Sequence, residues 1–192
     1  MNPIVVIPLI IGAAAILLPV IYVAVQYNAL VTLKNYIRES WSDVDVELKR
    51  RYDLIPNLVA SVKGYATHER EVLERVAELR NRCAANNGPV AEQSRDEVQL
   101  VGALRQLLMV VENYPELKAD QDFLKLQTEL VNTEDRIQAA RRFYNGNVRD
   151  YRNKCETFPS KVVAKLLGFQ AEGDFFSVPP SVREVPNVDF AT

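Results

Sequence analysis

The first charged side chain in this sequence is Lys34, and the stretch from Ile4 to Val25 is almost wholly aliphatic. Wound as a helix, it is about 30 Å long, the thickness of a bilayer's hydrocarbon core. A secretory signal would carry a basic start, a shorter apolar core and a small-residue cleavage site, and Val20 to Gln26 offers no clean version of that. The run therefore predicts an uncleaved transmembrane helix, with local bends at Pro8 and Pro19. Tyr22, Tyr27 and Lys34 are its expected membrane-interface residues.

Beyond the span, Leu30, Leu33, Ile37, Trp41, Val44, Leu48 and Ile55 recur at helical spacing and form one apolar stripe. Neither glycine nor proline falls between Pro19 and Pro56, so the membrane helix is expected to run unbroken into the first helix of the polar part. A second stripe takes in Leu58, Val62, Tyr65, Val72, Val76, Leu79 and Cys83 and ends in the turn Asn86-Asn-Gly-Pro89. The third comprises Leu100, Leu104, Leu107, Val111 and Tyr114 and stops at Pro115. The fourth begins at Asp120, a candidate N-cap, and continues through Phe123, Leu126, Leu130, Ile137, Tyr144, Val148 and Tyr151 to Phe158-Pro159. Asn145-Gly146 interrupts it with a turn dipeptide, which the apolar periodicity on either side is expected to override.

Between the first two stripes, Tyr52 to Asn57 contains no glycine to make a loop. Either Asp53 caps a new helix with Pro56 in its first turn, giving a sharp corner, or Pro56 only kinks one very long helix. The corner is preferred, because four comparable stripes then form an up-down bundle. The expected fold is all-α: an N-terminal transmembrane helix continuous with an antiparallel four-helix bundle, then a C-terminal extended strap. The corresponding boundaries are 1–27 for the anchor, 28–158 for the bundle and 159–192 for a short amphipathic helix and a tail rich in phenylalanine and proline. In one reading Phe169, Phe175, Phe176 and Phe190 staple that tail to the bundle; in the other, the helix bearing Lys161, Val162, Lys165 and Leu166 lies on the lipid surface.

Composition narrows the function. Of 192 residues, 23 are Lys or Arg and 25 are Asp or Glu, a net charge of -2 that gives no general attraction to nucleic acid. The bases Lys34, Arg38, Lys49, Arg50 and Arg51 follow the span, although Glu39, Asp43 and Asp45 lie among them. Their position favours an outside N-terminus and a cytoplasmic bundle, with a periplasmic or extracellular domain as the alternative. Cys83 and Cys155 read as separate buried thiols. His68 is the single histidine and lacks the partners of a zinc or di-iron motif. No glycine-rich phosphate loop or nucleophile motif occurs, so neither enzyme activity nor a cofactor is expected, and no small-molecule substrate is indicated. Asp53, Asn57, Glu134, Arg141 and Asn145 fall near the apolar stripes, as a buried polar network or as a contact surface.

Three strings carry a family resemblance: YNALVTLKNYIRESWSDVDVELKRRYDLIPNLVASVKGYATHE from Tyr27 to Glu69, VVENYPELKADQDFLKLQTELVNTEDRIQAARRFYN from Val110 to Asn145, and FPSKVVAKLLGF from Phe158 to Phe169. Together with the closing PNVDF, these resemble the bacterial LemA family along nearly the whole chain. The resemblance implies a membrane-bound protein with an N-terminal span and an antiparallel four-helix bundle, and implies no particular activity. Gly146 departs from the family pattern, which tends to carry a better helix former there.

The expected function is a non-catalytic, membrane-anchored scaffold or assembly protein of the bacterial envelope. Its partners would be the lipid bilayer, a second copy of itself or a membrane protein. The alternative is a signalling or stress-response protein that transmits membrane state to the bundle.

Overall fold

A computed structural model describes residues 3–66, 68–171 and 173–176. Six helices account for most of them: α1 (Pro3–Tyr65), α2 (Arg70–Ala85), α3 (Val90–Val111), α4 (Pro115–Lys118), α5 (Gln121–Glu156) and α6 (Ser160–Leu166). There is no strand among the described residues.

The corner expected at Tyr52 to Asn57 is not there: α1 is one helix of 63 residues that passes straight through Pro56. Proline has no N–H for the carbonyl four residues back, which here is the carbonyl of Tyr52. Arg80 on α2 supplies the missing donor, its Nε lying 3.0 Å from the Tyr52 oxygen. The turn comes about ten residues later, where Ala66 is fully buried, Glu69 N–H donates to the Ala66 carbonyl at 3.3 Å, and α2 begins at Arg70. The second apolar stripe is therefore split. Leu58 and Val62 belong to α1, and Leu73, Val76, Leu79 and Cys83 form the buried side of α2.

Other boundaries follow local chemistry. Asn86 Oδ1 accepts the Gly88 N–H at 2.9 Å and its Nδ2 donates to Asp96 at 2.7 Å, tying the turn between α2 and α3 to α3 itself. Asp120 caps α5, its Oδ1 accepting N–H groups from Asp122 at 3.0 Å and Phe123 at 2.9 Å. Helix α5 continues through Asn145-Gly146, and a Cβ at Gly146 would meet nothing within 4 Å. Gly146→Ala is accordingly expected to stabilise the chain by about 0.5–1 kcal/mol; a thermal midpoint equal to or below wild type in detergent would contradict this.

The chain divides into two compact units. One contains the described residues up to Trp41 together with Phe143–Gly173, and the other contains Ser42–Arg142 together with the described residues from Asp174 onward. In the first, Leu30, Tyr151, Cys155 and Ala164 form the core, with Leu33, Ile37, Phe169 and Ala171 packed against it. Trp41 meets Tyr144 edge-on at 5.3 Å, and the Tyr36 carbonyl accepts both Ser40 Oγ at 2.7 Å and Asn147 Nδ2 at 3.3 Å. The second unit buries Val44, Leu48, Ile55, Leu58 and Val62 of α1 with the inner sides of α2 and α3, Leu117 of α4, and Phe123 and Ile137 of α5.

Residues 169–171 and 173–176 form neither helix nor strand. Phe169 packs edge-on against Tyr27 at 5.8 Å, and Phe176 is buried beneath the Arg141 guanidinium, 4.4 Å from it. The rest of the expected strap, Phe190 included, lies outside the described residues.

Candidate functional site

Each unit holds one feature that sequence periodicity makes conspicuous once the helices are known. In the second unit it is a buried charge cluster. Arg51 lies one heptad after Val44 and one before Leu58, on the core side of α1, and is 3% exposed. Glu97 lies one heptad before Leu104 on α3 and is 5% exposed. Arg51 Nη2 pairs with Glu97 Oε2, and Arg51 Nη1 donates to Glu134 Oε2 on α5 at 2.9 Å. The Tyr52 hydroxyl donates to the other Glu97 oxygen. One guanidinium thereby links α1, α3 and α5, which makes the relative register of three helices depend on a set of bonds with defined direction.

Burial pushes the Tyr52 hydroxyl above its usual range, with Cys83 adding to the rise and Arg51 opposing it. The Cys83 thiol is pushed up to about 11, first by burial and then by Asp96. Both groups are acids that ionise less readily in the folded chain than in the unfolded one. Their contribution to stability is therefore complete below the unfolded value, which is 9.0 for the thiol, and is lost as pH rises toward about 11. The thermal midpoint of the detergent-extracted chain is expected to fall between pH 9 and 10.5, with a shallower fall in Cys83→Ala. Identical slopes for the two proteins would exclude the thiol.

Of the five residues expected to form a polar network, Asp53 and Asn57 are exposed, so neither takes part in a buried one. Asp53 only approaches Arg80, at 4.0 Å. Glu134 does join a buried network, through Arg51, and Arg141 is near enough to sense the charges of both. Burial lowers the Arg141 guanidinium below its usual range, and its Nη2 donates to the Phe176 carbonyl at 3.4 Å. Asn145 belongs to the other unit and is half-buried on α5. The residues overlooked were Arg51 as the hub, Tyr52 and Glu97. The usable signal was a charged residue in phase with an apolar stripe. His68 is exposed in the turn before α2, and among the described residues no group of His, Cys, Asp and Glu side chains is disposed to hold a metal ion.

In the first unit the feature is a surface. Helix α1 is long and apolar enough to cross a membrane, and none of the side chains between Leu9 and Val25 is buried by the protein. Tyr22 is half-buried, and Tyr27 and Lys34 are exposed. At the end of the span, Tyr22 and Gln26 line an open groove of about 590 Å³ together with Asn153 and Lys154 of α5 and Phe158 and Ser160. All four residues singled out on α6, Lys161, Val162, Lys165 and Leu166, are exposed.

Comparison with known proteins places the chain. It is similar to magnetosome protein MamQ of Magnetospirillum gryphiswaldense, with 24% identity over 80% of this chain and 66% of that protein. MamQ 2 of Paramagnetospirillum magneticum is 24% identical over 81% of this chain and 66% of its own length. Protein LemA of Metamycoplasma hominis is 30% identical over 73% of this chain and 64% of its own length. The matched region thus spans just under two thirds of these relatives. The LemA family profile matches residues 40–190, which takes in the Arg51–Glu97–Glu134 cluster and α6 and leaves out the whole of the apolar span. On that match, the chain belongs to the LemA family.

Proposed function

We propose that this protein is a non-catalytic, membrane-anchored helical scaffold of the bacterial envelope that works by self-association or by docking a partner protein. The observation that carries the reading is α1: a single helix in which the protein buries none of the side chains of the apolar stretch from Leu9 to Val25, and whose later part supplies core residues from Leu30 to Val62. An apolar surface of that extent belongs in lipid, and the residues that follow belong in a packed domain. We read the domain, residues 28–158, as an antiparallel four-helix bundle of α1, α2, α3 and α5, with the described residues after α6 as the start of a strap. Support comes from the buried stripes of all four helices and from the cluster that Arg51, Glu97 and Glu134 make.

Native mass spectrometry of the detergent-extracted chain tests the scaffold reading. An oligomer or a stoichiometric co-purifying protein is the expected result, and a strictly monomeric chain with no companion would defeat it. We place the domain on the cytoplasmic side, on the strength of Lys34 and Arg38. A cysteine introduced as Glu78→Cys, on the exposed side of α2, should then react with a membrane-impermeant maleimide only after cells are lysed; reaction in intact cells reverses the topology.

The continuity of α1 favours one further reading, in which membrane state is transmitted along the helix to the domain. A flexible glycine insertion after Gln26 should abolish such signalling while leaving membrane attachment intact. Full function with the insertion present would rule transmission out.

A further inference from the structure

Three observations converge on the segment from Phe158 to Leu167. Phe158, Val162 and Leu166 recur at four-residue steps and are 79%, 59% and 75% exposed, whereas Val163 and Ala164 on the other side of α6 are buried. The segment also runs beside the exit of the apolar span: Phe158 shares a groove with Tyr22 and Gln26, Ala164 belongs to the core around Leu30, and Phe169 packs on Tyr27. Finally, the orientation of α6 is fixed at its end. The Phe169 N–H donates to the Ala164 carbonyl at 2.9 Å and the Gly168 N–H to the Lys165 carbonyl at 3.4 Å, with Gly168 at φ +75°. This is the double hydrogen bond that closes a helix on a left-handed glycine, and it turns Phe169 back onto the span while leaving the row from Phe158 to Leu166 uncovered.

We infer that this segment is a second membrane contact: it lies along the headgroup–acyl boundary of the bilayer that α1 crosses. Phe158, Val162 and Leu166 enter the acyl region, and Lys161 and Lys165 meet anionic headgroups. The inference rests on α1 being a transmembrane helix and adds an occupant for a surface that α1 alone does not explain. A bilayer is favoured over another protein because the row begins where the span leaves the lipid: Phe158 shares a groove with Tyr22 and Gln26, whose other lining, Asp150, Asn153, Lys154 and Thr157, is polar as a headgroup region requires. The two exposed lysines beside it are the usual complement of an amphipathic helix at an anionic surface. Such a helix turns its own apolar side chains toward the lipid while the rest of the chain buries the opposite side, as α6 does.

The test uses the full chain reconstituted in phosphatidylcholine–phosphatidylglycerol vesicles and carrying a fluorescent label at one introduced cysteine: Val162→Cys, Leu166→Cys, Leu17→Cys in the span, or Glu78→Cys on α2. All four positions are exposed, so the substitutions leave the core untouched, and the buried Cys83 and Cys155 make wild type the control for labelling. Labels at Val162 and Leu166 should be quenched by lipids bearing a shallow nitroxide. Iodide should quench them about threefold or more weakly than the label at Glu78, as for a helix seated in the boundary. Lipid quenching should weaken in vesicles of phosphatidylcholine alone; equal quenching in both would overturn the assignment of Lys161 and Lys165 to anionic headgroups. If the Leu17 label is deep while those on α6 are as open to iodide as Glu78, the second contact is wrong and the span stands. Labels on α6 that are shielded from iodide yet untouched by lipid nitroxides would mean a protein cover instead. A water-exposed Leu17 label would overturn the span, and this inference with it.

Discussion

Glu97→Ala is expected to cost about 3–5 kcal/mol of stability, because it strands the buried Arg51 guanidinium without its closest counter-charge. Glu134 remains at 2.9 Å, but it is one-third exposed and satisfies a different nitrogen, so it cannot replace Glu97. The Tyr52 hydroxyl loses its acceptor in the same step. Glu97→Gln should fall between wild type and Glu97→Ala, since an amide oxygen still accepts from Tyr52 while the charge is gone. A full apolar replacement, Arg51→Met with Glu97→Leu and Glu134→Leu, should recover most of the lost stability, because the desolvation of the ions disappears along with their attraction. Thermal and denaturant unfolding of the detergent-extracted chain measures all of these. A loss below about 1 kcal/mol for Glu97→Ala, the range of an exposed pair, would mean that the cluster is hydrated and holds nothing.

The second large effect concerns Pro56. Arg80→Ala is expected to cost about 1–3 kcal/mol by leaving the Tyr52 carbonyl without a donor in the middle of α1. Arg80 also reaches Asn81 at 3.1 Å, but that exposed contact between neighbours contributes little. Pro56→Ala restores an N–H that can complete the helical bond to Tyr52, so in that background the cost of Arg80→Ala should shrink markedly. The two changes form a double-mutant cycle whose coupling reports the carbonyl alone. If Arg80→Ala costs the same with and without the proline, the side chain stabilises something other than the interrupted helix. Pro56→Ala by itself should raise the thermal midpoint, given the large penalty of proline inside a helix.

These two sites also mark where sequence reasoning stopped. Proline is a reliable local breaker, and nothing near Pro56 in the sequence says that a residue on another helix cancels the missing bond. The phase of the stripe did contain a hint. Val44, Leu48, Arg51, Ile55, Leu58 and Val62 keep one continuous alternation of three- and four-residue steps across the proline, which a corner would have broken. Counting Arg51 only among the bases that follow the span hid that continuity and, with it, the hub of the cluster. Asp53 and Asn57 were expected near the apolar stripes, yet the phase of the unbroken helix puts both on the exposed side of α1.

By itself the sequence determined the all-helical character, the apolar helix at the N-terminus, the cap at Asp120 and the turn at Asn86 to Pro89, and placed Glu134 and Arg141 near the core. Each is a matter of periodicity or of a side chain bonding its own backbone, and such signals are complete within a few residues. Tertiary structure decided the rest: that α1 survives Pro56, that Arg51 rather than Asp53 enters the core, that Glu97 and Tyr52 answer it, and that α6 keeps its row from Phe158 to Leu166 uncovered. Those outcomes depend on partners tens of residues away, which satisfy a carbonyl, neutralise a charge or bury the opposite side of a helix, and no local pattern reports them.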